Sequence, residues 1–72
     1  MKYRSEAPAM NISFSEPQGS GYGDISNIML DDRVIGEVNL DKGLFGLYDK
    51  YDTPALREKT RRAINEKFPG IL

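Results

Sequence analysis

Carboxylates supply most of the reactive groups in this sequence, and their positions suggest turns before they suggest chemistry. The 72 residues include no His and no Cys. That removes the usual general base near neutral pH, and with it thiolate nucleophiles, disulfides and thiolate metal sites. Asp31, Asp32, Asp41, Asp49 and Asp52 fall at the ends of apolar runs, where Asp is favoured because it bonds nearby backbone and tolerates left-handed geometry. No D-x-D-x-D-G loop occurs. A hard-cation site would need the Asp31-Asp32 and Asp49/Asp52 ends to meet, and turn chemistry is the expected role instead. Ser13, Ser15, Ser20, Ser26, Thr53 and Thr60 have no His to activate them and no G-x-S-x-G elbow.

Gly19-Ser20-Gly21-Tyr22-Gly23 invites comparison with a phosphate loop. Such a loop needs a strand before it and a helix N-terminus after it, and here a second strand follows. A flexible connection is expected, with Tyr22 at its tip available to a partner. The chain therefore reads as non-enzymatic, with no catalytic residue, cofactor or metal.

Charge is the next guide. A net charge of −1 argues against a dedicated nucleic-acid binder, but its distribution is uneven. Arg57, Lys59, Arg61, Arg62 and Lys67 outnumber Glu58 and Glu66 between positions 57 and 67, whereas the remaining residues sum to −4. Lys59, Arg61 and Arg62 lie off the apolar stripe of that segment. They form either a solvated face or a contact for phosphates or an acidic protein surface.

The elements that must position these groups fit one small domain. Seventy-two residues lie near the lower limit for independent folding, and a core of this size supplies only about 3–5 kcal/mol. Residues 1–9, with Pro8, show no periodicity and are expected to form a mobile arm. Met10, Ile12 and Phe14 alternate along a strand over 10–15, which Pro17 stops. Further strands are expected over 25–30, 34–40 and 44–49. The Asp31-Asp32 turn has two or three residues, and Asp41-Lys42-Gly43 forms a three-residue hairpin loop. That loop would pair Val38 with Gly46 and place Tyr48 over Gly36. Thr53 as N-cap and Pro54 at the first position start a helix over 54–68, whose stripe is Leu56, Thr60, Ala63, Ile64 and Phe68. Pro69-Gly70 ends it. The fold class is α+β: a small antiparallel β-meander of three to four strands with one C-terminal amphipathic helix packed on one sheet face.

One helix covers one face of a sheet. With Val34, Val38, Leu40 and Tyr48 under the helix, Ile35, Phe45 and Leu47 would point outward as an apolar patch, covered by the 10–14 strand or by a partner. The expected function is a small interaction protein (adaptor, inhibitor or regulatory subunit) binding a protein partner through its sheet face or edge and its basic helix. One concrete form is a phage-type inhibitor of a host or defence complex. Ile35, Phe45, Leu47, Tyr22, Arg61, Arg62 and Lys59 are the candidate contact residues. The alternatives are nucleic-acid binding through the helix face and a structural homo-oligomer, with a homodimer as its simplest form. No membrane contact is expected, since no window approaches 18 apolar residues. A cytoplasmic location is the default expectation, since the N-terminal residues show no apolar signal segment.

Overall fold

The computed structural model describes residues 11–72, so the expected arm over 1–9 and Met10 lie outside the described residues. Five strands, β1 (Ile12–Phe14), β2 (Gln18–Ser20), β3 (Gly23–Leu30), β4 (Arg33–Asn39) and β5 (Leu44–Leu47), precede a 3₁₀ turn (Asp49–Tyr51) and the helix α1 (Pro54–Lys67). All pairings are antiparallel. The order is β1-β3-β4-β5, with β2 also pairing β3. The expected α+β class, an antiparallel sheet with a C-terminal helix packed against it, is the class observed.

β1 and β2 share one edge of β3, interrupted at Ser15-Glu16-Pro17 because Pro17 has no N–H for the ladder. Ser15 bridges the gap. Its N–H donates to the Asn27 carbonyl (3.0 Å), its Oγ accepts from the Asn27 N–H (2.9 Å), and its carbonyl accepts from the buried Ser26 hydroxyl (2.6 Å). The glycine-rich segment expected as a flexible connection is instead the β2–β3 hairpin, in which Ser20 opposes Gly23. The Ser20 Oγ accepts from the Tyr22 N–H (3.1 Å) and donates to the Gly23 carbonyl (2.8 Å), closing the turn.

Asp31 and Asp32 form a two-residue turn, since Leu30 opposes Arg33. Both have positive φ, 49° and 74°, which is the left-handed pair that hairpin twist favours. Beyond it the ladder slips. Ile28 opposes Gly36 but Met29 opposes Val34, so Ile35 is an extra residue forming a β-bulge in β4. Two neighbouring residues, Ile35 and Gly36, are thereby both buried, and Val34 turns to the far face, 37% exposed.

The expected three-residue loop is corrected as well. Asn39 opposes Leu44, so the loop has four residues, Leu40–Gly43. Asn39 sets this length. Its Oδ1 accepts from the Asp41 and Lys42 N–H groups (3.0 and 2.9 Å), and its carbonyl accepts from Gly43 (2.9 Å). The longer loop shifts β5 by one residue relative to the expected pairing. Val38 opposes Phe45, Gly36 opposes Leu47, and Tyr48 lies past the end of β5, 49% exposed.

The helix matches its sequence signals closely. Thr53 Oγ1 accepts from the Leu56 N–H (3.2 Å), and Pro54 is the first helical residue. Leu56, Thr60 and Ile64 are buried against Ile28, Ile35, Val38 and Leu47. Phe68 closes one end of this core, meeting the Phe14 ring edge-on at 5.3 Å, a geometry aromatic quadrupoles favour.

One feature of this core is uncompensated: the fully buried Thr60 Oγ1 has no hydrogen-bond partner among the described residues. Leaving a buried hydroxyl unpaired costs about 1–3 kcal/mol. Thr60→Val keeps the branched shape and removes the hydroxyl. It is expected to stabilise the protein by about 1 kcal/mol, seen as a rise in melting temperature of about 4–8 °C for a domain of this size. A lowered melting temperature would mean that the hydroxyl has a partner in solution.

Candidate functional site

Alternation along the strands divides the sheet into two faces with different chemistry. The helix-covered face carries Ser26, Ile28, Ile35, Val38 and Leu47, all buried. The other face has no element of the described chain packed over it. Its residues form rows across the strands. Gln18 opposes Ile25, Ile25 opposes Asn39, and Asn39 opposes Leu44. In the next row Asn27 opposes Glu37, which opposes Gly46. Beyond it Ser13 opposes Met29, which opposes Val34.

The first two rows and the β2–β3 hairpin tip enclose an open cleft of about 580 Å³. Tyr22, 77% exposed, and Leu44, 64% exposed, are its most prominent apolar groups, and Ile25 lies half-buried in its floor. The Asn39 Nδ2 donates to the Tyr22 carbonyl (2.8 Å) and so ties the hairpin tip to β4. The Ser15 and Ser20 hydroxyls in the cleft are both engaged with backbone groups. Neither stands beside a base that could activate it. The cleft can hold an apolar group and offer amide and carboxylate partners to a polar one.

The expected contact residues are separated by this geometry. Ile35 (0% exposed) and Leu47 (8%) belong to the core, which corrects their assignment to an outward patch. The bulge turned the first inward and the one-residue shift of β5 turned the second. Phe45 moved with Leu47. It is half-buried on the helix side, where the guanidinium carbons of Arg57 and Arg61 each lie 5.8 Å from its ring centroid, within cation–π range. Of the expected contact residues, Tyr22 and Phe45 line the open cleft, Tyr22 largely exposed and Phe45 half-buried.

The basic helix face is partly spent internally. Arg61 covers Phe45, Arg62 Nε reaches Glu58 Oε2 at 3.3 Å as the i,i+4 spacing predicts, and Arg57 pairs with Asp52 at 3.1 Å. Lys59 lies in a separate groove between α1 and β1. The helix and the open sheet face are thus on opposite sides of the sheet, with Phe45 at the edge strand touching both Arg57 and Arg61 and the cleft. Among the described residues no three acidic side chains gather as a metal site, so the Asp31-Asp32 turn and the Asp49/Asp52 segment are not brought together. None of the described helices is long and apolar enough to cross a membrane.

Leu44, Ile25 and Asn27 are the cleft residues that sequence reasoning missed. Both alternations of the 25–30 segment are apolar, so periodicity does not say which set faces out. Leu44 was available as a signal, because it follows the Gly43 turn and alternates with Gly46. No protein-family model, curated protein or solved structure matches this chain.

Proposed function

We propose that this protein is a non-catalytic interaction module, an adaptor, inhibitor or regulatory subunit, that binds a protein partner through the open face of its sheet. The observation carrying this reading is that α1 covers only one face, while the other presents Tyr22 and Leu44 largely exposed beside Ile25. Contiguous apolar surface on a small monomer tends to mark an interaction site. Aromatic anchors such as Tyr22 carry much of the energy in such sites. Nucleic acid fits this face poorly, because among the described residues its cleft is lined by Glu37 and by no Lys or Arg, whereas nucleic-acid sites are cationic.

The test compares variants for capture of a partner from lysate of the cells that make the protein. Leu44→Asp changes a side chain that is 64% exposed, so the fold should persist, with a circular dichroism melt close to that of the parent. Capture is expected to fall at least about tenfold, as for loss of an interface hot spot. Arg62→Glu is expected to leave it unchanged. The opposite result, with capture lost in Arg62→Glu and kept in Leu44→Asp, assigns binding to the helix.

A further inference from the structure

Resting on the docking reading above, we propose that the open face accepts an extended partner segment pairing an apolar side chain with a Lys or Arg two residues along. Charge supplies the first argument. Among the described residues Glu37 is the only charged side chain lining the cleft. It lies directly across from Asn27, and no described cation is ion-paired with it. The cations of α1 lie on the helix side of the sheet, where Arg57 and Arg61 stack on Phe45 and Arg62 pairs with Glu58. A carboxylate so placed on an apolar surface favours a cationic guest and disfavours an anionic one.

Shape supplies the second argument. On β5 the residue opposite Glu37 is Gly46, and nothing lies within 4 Å of the position its side chain would take. This leaves an open slot beside Glu37 that reaches the edge strand. A long side chain can enter over Gly46 with its methylene stem along Leu44 and its charge at Glu37, as Lys and Arg commonly lie on apolar surface. The apolar row of Ile25 and Leu44 is two residues along the strands from the Asn27–Glu37 row. That is a separation of about 7 Å, matching positions i and i+2 of an extended chain.

A second copy of this chain fits less well. Two sheet faces related by a twofold axis would bring Glu37 toward its own counterpart from the central strand, which is repulsive. The outward face of α1 has the cations, but Lys59, Arg62 and Glu66 offer no apolar anchor for Tyr22 and Leu44.

The test uses three capped octapeptides in which Ser alternates with Leu and Lys, with Leu and Glu, or with Leu and Gln, followed by amide chemical shifts of the full chain. The Leu–Lys peptide is expected to bind most tightly and to move the amides of Ile25, Asn27, Glu37 and Gly46. Glu37→Gln should weaken it by about two- to fivefold, as for an exposed ion pair, and Glu37→Lys should transfer the preference to the Leu–Glu peptide. Equal binding of all three with indifference to Glu37→Lys overturns the cationic preference but leaves the docking face standing. Binding of none of them at these rows, or self-association there in the protein alone, also overturns the inference. The docking reading is decided separately by Leu44→Asp in the capture assay.

Discussion

Gly36→Ala is expected to destabilise the protein by about 3 kcal/mol, the upper end of what overpacking costs, and so to remove most of its stability. A Cβ on Gly36 would overlap the Gly46 carbonyl oxygen and come within 2.9 Å of the Leu47 Cα. Both are backbone atoms of the neighbouring strand, so no rotamer change relieves the clash. Strand β5 would have to move away from β4, taking Leu47 and Phe45 out of their places against the core. A domain this small has only about 3–5 kcal/mol to lose. Gly46→Ala is the matched control, because nothing lies within 4 Å of that Cβ. Urea unfolding should show it within about 0.5 kcal/mol of the parent, as for an exposed substitution away from special features. Equal effects at the two glycines would mean that β4 and β5 are not paired in this register.

Ile64→Ala is the other large effect, about 3 kcal/mol, within the range for removing a fully buried aliphatic side chain. Ile64 has no exposed surface and belongs to the core cluster that includes Ile28, Ile35 and Leu47, so its loss removes the main wedge between helix and sheet. Ile64→Val keeps the branch and should cost only about 1 kcal/mol. The same measurement on both variants separates lost packing from lost helix propensity. Valine is the poorer helix former and alanine the better one. If the alanine variant proves the more stable of the two, the helix does not pack as described.

These two residues also mark where the sequence is legible and where it is not. Ile64 could be assigned to the core from its position on the stripe with Leu56 and Thr60, because helical periodicity needs only local spacing. Gly36 could not. Its neighbour Ile35 was expected outside and lies at the centre of the core, since one extra residue in β4 exchanges the faces on either side of it. Nothing in the 34–40 run distinguishes a bulged strand from a regular one. The candidate site inherits this ambiguity. Tyr22 was recognisable as an aromatic at a loop tip and Glu37 as an outward-facing residue of β4, whereas Leu44 acquired its role only when the register of β5 was settled.

What the sequence determined by itself is local. It specified the Thr53 cap and Pro54 start of α1, its buried stripe, the Asp31-Asp32 turn and the α+β class. Each depends on residues within a few positions of one another, whose backbone preferences and spacing act before any tertiary contact forms. Tertiary structure alone decided the bulge at Ile35, the four-residue loop organised by Asn39, and hence which face of the sheet is core. A strand's side chains alternate with period two, so a shift of one residue exchanges both faces at no local cost. Only packing against the helix and the neighbouring strands selects between them. That selection buries Ile35 and Leu47, and it leaves Tyr22, Leu44 and Glu37 on the open face.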